Sequence, residues 1–301
     1  MNTPFNRRRF CGLVGTASAF ATAVNISSTE NDNFKITKGR IRQSIMGWTF
    51  NPMPTRELAQ LCKSIGLVAM EGVGAEHYPM IKELGFEISL VSSHGFARGP
   101  FNPANHDHVV EKLREGIDLA VKFGAKSVIT FTGMREPGIS DEQGAKNCID
   151  AWKKILPYAE EKKITLCLEH LNSRDNTHPM KGHPAYFGDD VDFCVDLINR
   201  VSSPQFKLLF DIYHVQIMNG DVIRRLRKYK DVIAHYTPQA SPAAASWTTR
   251  KRSIIPRSCV PSLRPATPAS SPRSSFPPGR IALPPSAMPP AFATFNPPPN
   301  T

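Results

Sequence analysis

The chain stops reading like a folding sequence after Tyr236, and that break bounds everything it can build. Thr237 to Thr301 hold 16 of the 27 prolines and seven of the 37 Lys and Arg residues, yet no Asp or Glu. Proline fixes φ and lacks a backbone N–H, so a stretch this dense in it supplies no core strand or helix. Two readings fit: a natural Pro/Ser/Ala linker, or a stretch translated out of frame. The second can be tested on paper, because each observed codon pair fixes two bases of every lost codon. With one base restored after Tyr236, permitted codons for Thr237–Ser246 spell HTAGVPGRGE, the next thirteen residues spell LDDTQEINYPAIM, and a stop falls within Pro289–Asn296. One shift thus converts the acid-free tail into an ordinary acidic and apolar sequence. A frameshift, in the gene or in its sequencing, is the reading adopted, and residues 237–301 are set apart as an out-of-frame, disordered tail.

Charge is then re-read. The formal net charge is +11 and the pI about 9.5, values that normally prompt a search for nucleic-acid partners. Without the tail cations, residues 1–236 carry 30 Lys and Arg against 26 Asp and Glu. No basic stripe with interleaved aromatics is visible, so no nucleic-acid partner is expected. Arg7-Arg8-Arg9-Phe10 precedes a small-residue apolar stretch from Cys11 to Val24 with Ala-x-Ala sites at Ala17/Ala19 and Ala21/Ala23. Residues 1–30 therefore read as a twin-arginine-type export signal, placing the protein in a bacterial periplasm; a short first helix is the alternative. The stretch is too short and too broken by Gly and Ser to span a membrane stably. Among the six cysteines, Cys62, Cys148, Cys167 and Cys194 show no metal or disulfide spacing and read as buried thiols.

From residue 40 to 236, short β-rich runs alternate with amphipathic segments, the pattern of repeated βα units. Strands are expected at Gln43–Met46, Leu67–Glu71, Ile88–Ser92, Ser127–Thr132, Ile164–Glu169, Lys207–Asp211 and Val232–His235. Helical faces are expected at Leu58/Leu61/Ile65, Val110/Leu113/Ile117/Val121 and Val191/Cys194/Ile198/Val201, with Asp107 and Asp189 as N-caps and stops at Gly66, Gly85 and Gly124. No Gly-x-Gly-x-x-Gly follows the first strand, which disfavours a dinucleotide-binding sheet. Polar groups instead sit at strand ends: Glu71, His94, Glu169, Asp211 and His235. The expected fold is therefore an α/β (β/α)8 TIM barrel in which this chain supplies strands one to seven. Its last βα unit is replaced by the tail, leaving a gap between the first and seventh strands.

Glu169-His170-Leu171-Asn172 ends one apolar strand and Asp211-Ile212-Tyr213-His214 ends the next. Carboxylates from neighbouring barrel strands converge near the axis, where like charges repel unless a divalent cation neutralises them. Mg²⁺, Mn²⁺ or Zn²⁺ suits such a Glu/Asp/His set. Glu169 and Asp211 are the candidate ligands, against strand-end carboxylates that merely cap loops. His214 is placed to touch either substrate or metal. His94 either contacts substrate or is a hydrogen-bonded rim histidine, and Glu71 either positions substrate or pairs with a lysine. His235 is expected to point away from position 237 and into the core. Trp48 and Phe50 wall the pocket or pack, and Arg174 and Lys181 hold a substrate carboxylate or are solvated.

These motifs, densest in LCLEHLNSRDNTHPMKGHPAYFGDD and LLFDIYHVQIMNGD, resemble the hydroxypyruvate isomerase group of the xylose-isomerase-like barrel superfamily. The resemblance implies one divalent metal held by a Glu, an Asp, a His or Gln and a Glu from strands five to eight, the two Glu residues shuttling a proton. Glu169 and Asp211 match the first two positions, Glu169 becomes the catalytic base, and His183 falls in a loop that presents a substrate contact. The third ligand falls on Thr237, where the restored frame has histidine, and the fourth falls in the lost frame. The implied activity is a metal-dependent isomerisation of a small hydroxy-carbonyl acid or sugar through an enediolate, impaired in the chain as written. A sugar 3-epimerase and a non-catalytic exported sugar-binding barrel are the alternatives, and the sequence leaves the oligomeric state open.

Overall fold

A computed structural model describes Ile36, residues 41–174, 176–177 and 182–238, and the backbone of Phe292–Phe295, all within the unit Lys35–Thr301. Residues 1–30, read above as an export signal, Lys181 and the rest of the tail lie outside the described residues.

Strands form at all seven expected places, the third reduced to two residues that share only Ile88 with the expected Ile88–Ser92: β1 (Arg42–Met46), β2 (Ala69–Glu71), β3 (Glu87–Ile88), β4 (Ser127–Thr130), β5 (Thr165–Glu169), β6 (Phe206–Asp211) and β7 (Ile233–Thr237). Chain neighbours pair in parallel from β1 to β3 and from β4 to β7. Val91, just past β3, bridges Val128 of β4 in parallel. Its N–H donates to the Ser127 carbonyl and its own carbonyl accepts from Ile129, both at 2.9 Å. That bridge joins the two ends of the sheet into a ring.

The expected gap between β1 and β7 is corrected. Phe292–Phe295 (β8) occupies it, antiparallel to both neighbours, with Ile45 opposite Phe292 and His235 opposite Phe295. Open strand edges leave N–H and C=O groups unpaired, and a four-residue stretch of tail satisfies both edges at once. The slot therefore holds a strand of the wrong direction for a βα repeat, and its sequence, Phe-Ala-Thr-Phe, contains no carboxylate or imidazole.

Seven helices cover the ring among the described residues: α1 (Thr55–Ser64), α2 (Tyr78–Glu83), α3 (His106–Phe123), α4 (Asp141–Lys162), α5 (Val191–Val201), α6 (Ile212–Met218) and α7 (Val222–Lys228). The face of α5 is as expected, with Val191, Cys194, Ile198 and Val201 all buried. Two faces are rotated from expectation. On α1 the buried residues are Leu58, Ala59 and Cys62, and on α3 they include Val109, Leu113, Gly116, Ile117 and Ala120, leaving Leu61 and Val121 exposed. On α3, Gly116 gives the reason: a Cβ there would lie 2.9 Å from the Val128 side chain, so the helix meets β4 at its smallest residue. The caps shift as well. Asp190, not Asp189, caps α5 by accepting from the Phe193 N–H, and Asn105 stands before α3 where Asp107 was expected. Gly124 ends α3 at φ 74°, a left-handed turn that favours glycine.

Packing divides into an outer and an inner layer. The large cluster lies between strands and helices and includes Trp152 against Phe206, ring centroids 4.7 Å apart. A fully buried side chain of this kind stabilises the fold by roughly 1.5–3 kcal/mol. Inside the ring, Leu90, Cys167 and Leu209 fill the axis. The four expected thiols are all buried and unbridged.

Candidate functional site

Three strand ends meet at one mouth of the ring. Glu169 closes β5, Asp211 closes β6 and Thr237 closes β7, with Asp211 in register with Thr237. All three line a cavity of about 610 Å³. Side-chain period two puts Leu209 and Asp211 on one face of β6, so the apolar axis filler lies one layer below the carboxylate. Glu169, Asp211 and His214 each offer a ligand atom within 4.8 Å of the others. Burial pushes the Glu169 carboxyl well above the usual carboxylate range, and the neighbouring Asp211 and Glu71 charges push it further. Asp211 is likewise raised by burial, although backbone N–H groups of His214 and Tyr213 oppose the rise. The donor set suits a hard or borderline divalent cation, whose charge would relieve this repulsion.

His214 is held by its surroundings in one tautomer. Asp211 caps α6, its Oδ1 accepting from the His214 N–H at 3.1 Å. The Asn172 backbone N–H points at His214 Nδ1 at 3.1 Å. A backbone N–H only donates, so Nδ1 accepts and the ring proton of the neutral imidazole sits on Nε2. Burial, with His170 and His183 nearby, holds the ring well below the usual histidine range and thus neutral. His214 therefore offers an N–H donor, and it ligates a metal only if one of these bonds is given up. His183, also on the cavity wall, is fixed by its N–H to the Asn172 carbonyl at 2.7 Å, and its ring lies 4.2 Å from Phe96.

Other expected contacts lie elsewhere. Glu71 is buried under the mouth and outside the cavity lining, where it accepts from Ser89 at 2.5 Å and meets His235 Nε2 at 3.2 Å. Its partner is a histidine, not the expected lysine. His94 is also off the lining. Its Nε2 meets Thr130 Oγ1 at 3.0 Å, its ring stands edge-on to Phe131, and burial lowers its pKa to about 4. His235 is fully buried as expected, but it does not point away from position 237: residues two apart share a strand face, and Ile233, His235 and Thr237 are the buried ones. Trp48 lines the cavity, whereas Phe50 packs on the outer core. Arg174 is exposed and off the lining.

Tyr186 has no counterpart in the sequence reading. Fully buried, its hydroxyl accepts from the Thr132 N–H at 3.1 Å and donates to the Glu169 carbonyl at 2.8 Å, tying the end of β5 to the segment after β4. Tyr186 lies in the fifth loop, which Arg135 also holds through the Tyr186 carbonyl and Asp189. No local pattern marks a tyrosine that acts across two strand ends, so pattern reading had nothing to find.

The sequence model of the xylose isomerase-like TIM barrel family matches residues 76–245. The hydroxypyruvate isomerase of Escherichia coli K12 is 24% identical over 129 residues, covering 42% of this chain and 47% of that protein. The chain spans about half the length of the curated relatives it matches. Among solved structures, an AP endonuclease of family 2 from Brucella melitensis superposes with a TM-score of 0.54 at 21% identity, over 64% of this chain and 76% of that one. The 3-keto-D-glucoside 4-epimerase of E. coli gives 0.50 at 16% identity, over 62% and 74%. Likenesses this distant establish the shared fold.

Proposed function

We propose, from the premise that this chain belongs to the xylose isomerase-like TIM barrel family, that Glu169, Asp211 and His214 form the proton-transfer centre of an isomerase or epimerase acting on a hydroxy-carbonyl substrate. The observation that carries this reading is the convergence of two carboxyl groups and a neutral imidazole at one barrel mouth. The distant likeness to hydroxypyruvate isomerase supports it, as does the superposition on a sugar epimerase. Glu169 is the base: its carboxyl stands at the mouth beside Asp211 and His214, placed to take a proton from one carbon of a bound substrate and deliver it to the next. His214 directs its Nε2–H to the substrate oxygen on which charge develops. Glu169 and Asp211 are the residues that would hold one divalent cation, Mg²⁺, Mn²⁺ or Zn²⁺, whose chemistry when bound is to polarise the carbonyl.

The same reading makes the chain as written impaired. Thr237 offers a hydroxyl where the restored frame offers histidine, and β8 offers no second carboxylate. This favours, as a second reading for the chain as written, a sugar-binding barrel without turnover. The arginine-rich start supports export to the periplasm as a folded protein. The test is to express the chain as written and a form with one base restored after Tyr236, load both with Mn²⁺ or Mg²⁺, and assay isomerisation of hydroxypyruvate and small ketoses. Turnover only in the restored form supports the proposal; equal turnover in both removes the frameshift from it, and none in either leaves the binding barrel.

A further inference from the structure

The cavity has two unlike sides. Its acidic groups come from the ends of β5 and β6 alone. Across the ring, β1 to β4 and the residues following them present Met46, Trp48, Val73, Phe96 and Phe131. Trp48 and Phe96 are 44% and 37% exposed, and they are two of five large apolar side chains so exposed among the described residues. Solvent therefore reaches two aromatic faces inside a recessed site, which is where an apolar ligand group gains most by displacing water.

Size points the same way. A three-carbon hydroxy acid occupies roughly 200 Å³ even at liquid water's share of about 30 Å³ per heavy atom. The cavity, at about 610 Å³, is some three times larger. His183 joins the two sides, its ring tilted against Phe96 at 4.2 Å and 6.5 Å from the His214 ring. The sugar-sized space next to Glu169 therefore continues directly onto the aromatic side.

We infer that the site takes a keto sugar carrying an apolar or aromatic substituent, the substituent lying on Trp48 and Phe96. Placing the hydroxy-carbonyl end at Glu169 rests on the proton-transfer reading above; placing the apolar end does not.

The experiment is calorimetric titration of the full chain, with Mn²⁺ present, using 1-deoxy-1-(4-methylanilino)-D-fructose, D-fructose, 4-methylaniline and hydroxypyruvate. The aryl ketose is expected to bind at least tenfold more tightly than each of the others. Trp48→Ala and Phe96→Ala, both at partly exposed positions where truncation spares the fold, are expected to remove most of that advantage. Equal binding of the aryl ketose and D-fructose, tighter binding of hydroxypyruvate, or no aryl-ketose binding at millimolar concentration would overturn the inference, as would 4-methylaniline binding equally well. If deuterium wash-in next to the ketose carbonyl survives Glu169→Gln while Trp48→Ala still weakens the aryl ketose, the proton-transfer reading fails and the apolar seat stands.

Discussion

Replacing Tyr186 with Phe removes one oxygen and leaves the ring in place, and the structure sets the cost. The hydroxyl accepts the buried Thr132 N–H and donates to the Glu169 carbonyl. Losing it forfeits two hydrogen bonds, each worth about 0.5–1.5 kcal/mol net, and strands a buried N–H at a further cost of about 1–3 kcal/mol. Allowing for partial relaxation, the expected destabilisation is about 2–4 kcal/mol. For a domain of this size that corresponds to a drop of the order of 10 °C in Tm. Urea unfolding followed by circular dichroism measures it, with an unchanged slope showing that the unfolded state is not the cause. Tyr158→Phe is the control. That hydroxyl donates to a carboxylate, Asp118, but at an exposed position, so its loss changes stability by no more than about 0.5 kcal/mol. A Tyr186→Phe cost as small as the control's would refute the bridging role.

Acid is expected to weaken the fold in a defined window. Burial lowers His94 and His170 to about 4, so between about pH 6.5 and pH 4 the unfolded chain binds more protons than the native one and stability falls as pH falls. Each histidine contributes up to roughly 3 kcal/mol, the loss levelling off below pH 4, while the raised Glu169 and Asp211 carboxyls act with the opposite sign over the same range; urea midpoints at pH 7, 5.5 and 4.5 in a Glu169→Gln/Asp211→Asn background isolate the histidine contribution, and a flat profile there would contradict the burial argument. Asp211→Asn keeps the α6 cap and removes one of two repelling carboxylates, so it is expected to stabilise the metal-free chain by about 0.5–2 kcal/mol, checked by thermal unfolding in EDTA. Gly144→Ala places a Cβ 2.0 Å from the Phe101 ring, which Phe187 backs at 4.7 Å, and is expected to cost about 1–3 kcal/mol by the same unfolding assay.

Strand placement was legible because a buried parallel strand leaves a short continuous β-rich run, as at Leu166–Leu168 and Leu208–Phe210. The long α4 was not identified, although Ser140 caps it by accepting from Gln143 and Ala145, Cys148, Ile149, Trp152, Ile155 and Leu156 form its buried face; Pro157 near its end disguises the period. Glu169, Asp211 and His214 could be brought together from sequence because each sits at or just after a strand end, where topology alone fixes the neighbours. His94 and Glu71 sit in similar places, but local side-chain partners, Thr130 and His235, decide where they point. Such pairings join positions 36 and 164 residues apart, and no linear pattern carries them. The aromatic side of the cavity was half seen in Trp48 and missed in Phe96 and Phe131, which acquire meaning only when loops from different strands face each other. The filling of the β1–β7 slot from Phe292–Phe295 is a demand of the open strand edges and leaves no mark in that segment's own composition.

Proton transfer at Glu169 can be read without choosing the product. The restored-frame protein, loaded with Mn²⁺, is incubated in D₂O with a ketose, and proton NMR follows deuterium entering at the carbon next to the carbonyl. Wash-in that proceeds with the native residue and is lost by at least a hundredfold in Glu169→Gln is the predicted result, the scale general acid–base catalysis contributes, on the order of 10²–10⁴. Wash-in that survives Glu169→Gln unchanged, in a variant that still binds the ketose, would contradict the assignment of Glu169 as the base.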